Sequence, residues 1–207
     1  MYVSVDGISG IGKSTVLSRL LNETHFQGKK IRIVHFFSEL STFGCGGNVE
    51  PEVLRRNLHH GNISAEWREK NFRRLCIISC EAFWNIHDEW DEDVIAFDRS
   101  PLSYFSYCEG ALGIQVVGTP IIHRTIEALQ PIILVGNVRK ARKRRFLRDK
   151  MADKGFLHNL SDDVENKVQE TFVRLAFHYN LLLCNAEQAL HELLNSIDRK
   201  YGQANAI

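Results

Sequence analysis

The feature that most constrains the fold is a glycine-rich string close to the start of the chain. It reads GISGIGKS over residues 7–14 and satisfies the pattern G-x-x-x-x-G-K-[ST] at every fixed position. Residues 2–6, before it, have the apolar character of a short buried strand, and residues 13–26 have the apolar spacing of a helix. A strand, a glycine-rich turn and a helix in this order predict an α/β fold whose first loop holds an anion.

Each part of this string has a physical role in holding a phosphate. The glycines let the backbone wrap closely, and its N–H groups then form an anion nest that the N-terminus of the following helix reinforces. We expect Lys13 to reach the β and γ phosphates of ATP and Ser14 to hold Mg²⁺. The residues predicted to bind ATP are Gly7, Ser9, Gly10, Ile11, Gly12, Lys13, Ser14 and Thr15.

Length and composition favour a single globular domain over the whole chain. The 207 residues are 44% apolar and 25% charged, close to the average for globular proteins. No apolar run reaches the length of about 18 residues that a membrane helix needs, and the N-terminus has no pattern typical of a signal peptide. We therefore expect no membrane partner. The five cysteines are an odd number and lack paired metal-type spacing, so we expect reduced thiols and a cytoplasmic protein.

The basic residues are concentrated in one segment. Residues 139–154 contain nine Lys or Arg and two Asp, although the whole chain has a net charge of only +1. The rest of the chain is therefore net acidic. One basic segment on an acidic body predicts a local anion site and no nucleic-acid partner. A basic helix that is simply solvated is the alternative.

The alternation of apolar segments predicts a five-stranded parallel sheet with helices on both faces, in one domain over residues 1–207. The strands are predicted at 2–6, 31–37, 94–97, 132–135 and 181–184, and residues 38–50 are predicted as a loop. Helices are predicted at 13–26, 51–59, 102–109, 120–129, 139–151 and 164–179. Two further helices are predicted from the caps Ser64 and Asn185 to about residues 88 and 199.

A second group of candidate functional residues follows the third predicted strand. The apolar residues 94–97 end directly before Asp98 and Arg99, and ligands of an open parallel sheet gather at the carboxyl ends of its strands. We expect Asp98 to hold Mg²⁺ and the planar fork of Arg99 to grip a phosphate. The alternative is that Asp98 caps the next helix while Arg99 lies at the surface.

Together these residues resemble the thymidylate kinase and deoxynucleoside kinase superfamily of P-loop kinases. Its members carry the phosphate loop at the N-terminus and a D/E-R-Y/S/H triplet after the third strand, which here is DRS at 98–100. Ser103 and Tyr107 match the continuation found in thymidylate kinases, and residues 168–175 and 181–194 are similar to their closing elements. The resemblance covers nearly the whole chain and implies a P-loop kinase fold, ATP and Mg²⁺ as cofactors, and a homodimer.

The resemblance also implies roles for particular residues. Residues 139–160 follow the fourth strand, where the superfamily has a basic lid, and the turn at 153–155 is expected to be mobile. Arg144 and Arg148 match the R-x-x-x-R pattern of deoxynucleoside kinase lids and share one helix face, so we expect both at the ATP phosphates during transfer. Arg142 and Arg145, on neighbouring faces of the helix, are further candidates for the same role.

On the acceptor side, the resemblance implies that Phe72 stacks on the base and that Arg99 and Ser103 bind the acceptor. Two departures leave the acceptor open. Thymidylate kinases have an R-E-P motif after the second strand, where this chain reads SEL at 38–40, and an Arg in the long helix, where it reads CEA at 80–82. Either Arg73 or Arg74 is the expected substitute, and a glycine-rich flap is expected at 44–47.

Three functions follow in order of preference. The first is phosphoryl transfer from ATP to a nucleoside monophosphate, in the manner of thymidylate kinases, with Glu39 orienting the sugar or Mg²⁺. The second is a deoxynucleoside kinase that phosphorylates a sugar 5′-hydroxyl, with Glu39 as the base. The third is an NTPase switch, although the chain contains no N-K-x-D guanine-reading motif.

Overall fold

The computed structural model describes residues 1–26, 29–43, 50–59, 62–86, 90–148 and 160–201. Its centre is a five-stranded sheet with the strands β1 (Tyr2–Asp6), β2 (Ile31–His35), β3 (Val94–Asp98), β4 (Ile132–Leu134) and β5 (Leu183–Cys184). Every neighbouring pair is parallel, and the order across the sheet is β2-β3-β1-β4-β5. The predicted parallel sheet is therefore confirmed.

Helices flank the sheet and account for most of the remaining described residues. They are α1 (Lys13–Phe26), α2 (Ser41–Phe43), α3 (Glu50–His59), α4 (Ala65–Ile86), α5 (Leu102–Leu112), α6 (Pro120–Leu129), α7 (Val138–Arg148), α8 (Asp162–His178) and α9 (Ala186–Tyr201). Each predicted helix is present, and α1 and α6 have the predicted bounds. None of the described helices is long and apolar enough to cross a membrane.

The register of the sheet brings three polar strand ends to one edge. Asp98 of β3 lies opposite His35 of β2 and opposite Val5 of β1, the residue before Asp6. All five residues of β3 are buried, as is typical of an inner parallel strand covered on both faces. The parallel register thus places Asp6, His35 and Asp98 side by side at the carboxyl ends of the strands.

The segment after β2 differs from its prediction. The strand was expected to continue to Phe37 and a loop to follow, but β2 ends at His35 and a π-helix (Phe36–Leu40) leads into α2. The backbone N–H of His35 donates to Glu39 Oε1 at 3.1 Å, which turns the chain at the strand end. Phe36 is fully buried, with its ring centroid 6.1 Å from that of Phe97. The contact of Phe36 with Phe97 is tertiary, so the sequence alone shows only two consecutive aromatic residues, which are typical of a strand.

Candidate functional site

The glycine-rich string forms a tight loop between β1 and α1, and three of its glycines adopt conformations that other residues rarely reach. Gly7, Gly10 and Gly12 have φ angles of 132°, 82° and 124°. A Cβ on Gly10 would lie 2.2 Å from the backbone oxygen of Ala141 in α7. Both the backbone conformation and the close approach of α7 therefore require glycine at position 10.

Lys13 places a positive charge inside this loop. Its Nζ donates to the backbone oxygens of Gly7 at 3.0 Å and Ile8 at 2.9 Å, and the residue is only 6% exposed. The first residue of α1 thus holds a buried ammonium at the N-terminus of a helix. Two positive features coincide here, and both favour an anion.

A buried carboxylate that sequence reasoning missed ties the loop to the start of α5. Asp6 accepts hydrogen bonds from Gly7 N at 2.9 Å, from Ser100 N and Oγ at 2.9 and 2.7 Å, and from Ser103 Oγ at 2.7 Å. Burial raises the pKa of Asp6, although Arg99 and the bonds from Ser100 and Ser103 act in the opposite direction. The signal in the sequence was an acid at the end of β1, directly before the glycine string. Ser103, predicted to bind the acceptor, donates its hydroxyl hydrogen bond to Asp6.

Asp98 forms a pair with His35, a second residue that sequence reasoning missed. His35 Nδ1 lies 3.2 Å from Asp98 Oδ2. Burial opposes ionisation of Asp98, but the hydrogen bond from His35 and the charges of Lys13 and Arg99 outweigh it and lower its pKa. The same hydrogen bond raises the pKa of His35. The other carboxylate oxygen, Oδ1, is buried and has no hydrogen-bond partner within the described part of the chain.

Arg99 has an unusual backbone and a fixed side chain. Its φ is 79°, an uncommon value for a residue other than glycine, and its backbone N–H donates to Val5 O at 2.9 Å. The guanidinium donates to Ser103 Oγ at 3.1 Å and lies over the ring of Tyr107 at 5.5 Å. Strained backbone of this kind is concentrated at functional sites.

The glycine-rich loop opens into a cavity of about 700 Å³, here named the larger cavity. The loop and the start of α1 form one side, and α7 and α9 form the other. Its wall contains Ser9, Gly10, Gly12, Lys13, Ser14, Thr15, Val16, Arg19, His35, Asp98, Arg99, Arg144, Arg145, Ala186, Glu187 and Leu190. Six of the eight residues predicted to bind ATP are therefore in this wall, while Gly7 and Ile11 are not.

Two arginines of α7 reach the larger cavity. Arg144 is exposed in its wall, and Arg145 lies beside it with only 2% of its surface exposed. Arg145 Nη1 donates to Glu165 Oε1 of α8, and its Nη2 has no hydrogen-bond partner among the residues described. The side chain of Arg148 and the predicted turn at 153–155 lie outside the described residues, as does the predicted flap at 44–47.

A smaller cavity of about 270 Å³ lies next to the larger one. Its wall contains Ser9, His35, Phe36, Phe37, Ser38, Arg55, Leu58, His59, Phe72, Leu75, Asp98, Arg99, Ser103 and Tyr107. Four of these residues also line the larger cavity, namely Ser9, His35, Asp98 and Arg99. We call these four residues the shared wall.

The predicted acceptor residues divide between this smaller cavity and other places. Phe72 lines it, with its ring centroid 5.1 Å from that of Phe37. Arg73 does not, since its Nε donates to Glu69 Oε1 at 2.9 Å on the side of α4 that faces α5. Arg74 makes two bonds to Glu50, at 2.8 and 3.2 Å. Glu39 is also outside both walls and accepts from the backbone of His35.

The residues present fit a hard divalent cation. Asp98 and Ser14 line the same cavity, and the buried Oδ1 of Asp98 lacks a hydrogen-bond partner in the described structure. Within the described residues, no group of three or more His, Cys, Asp or Glu could hold a metal by itself. A cation bound here would therefore depend on ligand oxygens and water as well, as Mg²⁺ does when it accompanies a phosphate.

A comparison with known protein families and with curated proteins finds no match for this chain. The functional conclusion therefore depends on the residues of the two cavities and their chemistry.

Proposed function

We propose that this protein transfers the γ-phosphoryl group of ATP to a nucleoside monophosphate, on a P-loop kinase fold. The observation that carries the proposal is that two cavities of different character meet at the shared wall. Phosphoryl transfer requires that the attacking and leaving oxygens lie in line, with donor and acceptor held on either side of the migrating group. A shared wall between two ligand cavities suits that requirement.

The larger cavity has the features of an ATP site. The glycine-rich loop supplies backbone N–H groups and lets the phosphates approach its backbone closely. Lys13 supplies a buried positive charge, and α7 supplies Arg144 and Arg145. Asp98 and Ser14 would hold Mg²⁺, which, when bound, would neutralise charge on the β and γ phosphates. Arg99 lines both cavities, so its positive charge would stabilise the negative charge that develops during transfer.

The smaller cavity favours an acceptor that already carries a phosphate. Among the described residues of its wall, four groups have basic character, Arg55, Arg99, His35 and His59, whereas Asp98 of the shared wall is the one carboxylate. A nucleoside kinase needs a base for the sugar hydroxyl, and Glu39, the predicted base, lies outside this wall. A monophosphate is ionised at neutral pH and needs no strong base. The aromatic rings of Phe37 and Phe72 offer an apolar surface for a nucleobase.

The test is an assay of ADP release with Mg-ATP and a panel of acceptors. The panel contains thymidine, deoxycytidine, deoxyadenosine, deoxyguanosine and the 5′-monophosphate of each. We expect at least one monophosphate to stimulate ADP release, and we expect Lys13→Met to abolish that release. Stimulation by nucleosides alone would support the deoxynucleoside kinase instead. ADP release that no acceptor stimulates would support an NTPase.

A further inference from the structure

The smaller cavity contains one arginine that pairs with no acid of the described structure. Arg55 lies on α3 and lines this cavity, and its Nε makes only a long bond of 3.4 Å to Pro51 O. Within the described structure, no ion pair joins Arg55 to a carboxylate. Its neighbour Arg56, by contrast, is paired with Glu52 one turn earlier on the exposed side of the helix.

The two exposed arginines of the adjacent helix α4 are ion-paired as Arg56 is. Arg73 is paired with Glu69, and Arg74 is paired with Glu50 through two bonds. Neither of them lines either cavity. The exposed arginines Arg56, Arg73 and Arg74 thus have acidic partners, and the buried Arg68 donates to the backbone oxygens of Leu58 and Ile63. Arg55, which lines a cavity, has no carboxylate partner among the residues described.

The position of α3 brings Arg55 to the same region as Arg99. His59 follows Arg55 by four residues, so the two side chains share one face of the helix, and both line the smaller cavity. Burial lowers the pKa of His59, and the charges of Arg68 and Arg99 lower it further. The last turn of α3 and Arg99, which belongs to the shared wall, thus line the same cavity.

We propose that Arg55 binds the phosphate that the acceptor already carries, and that it thereby selects a nucleoside monophosphate over a nucleoside. This inference rests on the proposed function. A guanidinium remains charged at every working pH and presents forked donors that match phosphate oxygens. The bound phosphate would supply the counter-charge that the wall of the smaller cavity lacks. Arg55 would act on ground-state binding, whereas Arg99 lies at the point of transfer.

The experiment compares Arg55→Gln with Arg56→Gln, because Arg56 is the next residue of the same helix, is exposed and is paired with Glu52. For the best monophosphate acceptor, we expect Arg55→Gln to raise the KM by about 10-fold to 100-fold, the range for losing a charge-assisted hydrogen bond. The KM for ATP should change less than about twofold, since ATP would bind in the other cavity. Arg56→Gln should match the wild type, and Arg55→Lys should recover part of the loss because it restores the charge.

The matching nucleoside separates phosphate recognition from other roles of Arg55. Its inhibition constant against the monophosphate should be the same in the wild type and in Arg55→Gln. An equal loss for nucleoside and monophosphate would show that Arg55 reads the sugar or the base, and an unchanged monophosphate KM would remove it from the site. Either result would overturn the inference.

Direct binding distinguishes failure of this inference from failure of the proposed function. Calorimetric titration of the eight panel compounds into wild type and Arg55→Gln needs no turnover. Tighter binding of a monophosphate than of its nucleoside, lost in Arg55→Gln, would uphold the inference even if no transfer occurs. If the wild type binds no monophosphate more tightly than its nucleoside, the inference fails whatever the activity.

Discussion

At the scale of single residues, the site depends on positions where one side chain is required or excluded. Gly10 combines a φ of 82° with a Cβ position 2.2 Å from Ala141 O, so a side chain there would both strain the loop and push α7 away. Gly113 offers a matched comparison. Its φ is 69°, but nothing lies within 4 Å of its Cβ position.

We therefore predict that Gly10→Ala abolishes ATP binding, because α7 and the loop can no longer pack together. Gly113→Ala should leave ATP binding intact and lower the free energy of unfolding by about 1–2 kcal/mol, the cost of a left-handed conformation in a residue with a Cβ. Calorimetric titration with ATP and urea unfolding measure the two effects. ATP binding by Gly10→Ala with wild-type affinity would show that α7 does not close the nucleotide site.

The pair formed by His35 and Asp98 predicts a pH dependence of stability. The folded-state pKa of His35 is raised, so its contribution is full below its unfolded pKa and is lost as the pH rises through the folded value. The folded-state pKa of Asp98 is lowered, so its contribution is lost only as the pH falls through that value, in acid. The pair is thus most effective near pH 5.5, where Asp98 is ionised and His35 is protonated.

For His35→Gln we predict a loss of unfolding free energy that is larger at pH 5.5 than at pH 9. Urea unfolding at both pH values measures it. His191→Gln, in an exposed position of α9 outside both cavities, is the control and should show no such difference. A His35→Gln effect of equal size at both pH values would mean that the charged pair does not form in solution.

At the scale of elements, a buried ion pair joins α7 to α8. Arg145 and Glu165 are 2% and 3% exposed in their side chains, and burial raises the pKa of Glu165 against the influence of Arg145. Near the start of α8, Arg142 pairs with Asp162 at 2.8 Å, but those side chains are about one third exposed. The pair of Arg145 and Glu165, here named the inner pair, therefore holds α7, the helix that packs on Gly10, in place.

Removal of one partner from the inner pair should destabilise the fold strongly. We predict that Arg145→Met lowers the unfolding free energy by about 3–5 kcal/mol, because it leaves the carboxylate of Glu165 buried without its counter-charge. The double variant Arg145→Met/Glu165→Met should recover most of this loss. Arg142→Met should cost less than about 1 kcal/mol, as expected of a more exposed pair. Urea unfolding distinguishes these outcomes, and equal losses for Arg145→Met and Arg142→Met would contradict the account.

The elements themselves could largely be predicted from sequence, whereas their contacts could not. Helical apolar spacing after Lys13 predicted α1, the pair Thr119 and Pro120 predicted the start of α6, and a short apolar run predicted β1. The π-helix after β2 was not predicted, since the burial of Phe36 against Phe97 is a contact between residues far apart in sequence. Arg55 was also missed, because local spacing does not tell which face of α3 meets a cavity.

At the scale of the whole molecule, parallel register and loop position together create the two-cavity site. Every strand ends at the same edge, so residues far apart in sequence, Asp6, His35 and Asp98, converge there. The motif at 7–14 and the residues at 98–99 could be predicted because each follows a strand at that edge. The homodimer implied by the resemblance stays a prediction, and the molar mass in solution tests it.

In the proposed reaction, the γ-phosphoryl group of ATP passes at the shared wall to the phosphate of the acceptor. The most direct measurement follows label from ATP, marked at its γ-phosphorus, in the presence of Mg²⁺ and each of the four deoxynucleoside monophosphates. We expect wild-type protein to place the label in a deoxynucleoside diphosphate and Lys13→Met not to do so. Label that appears only as inorganic phosphate, whichever acceptor is present, would rule out transfer to a monophosphate.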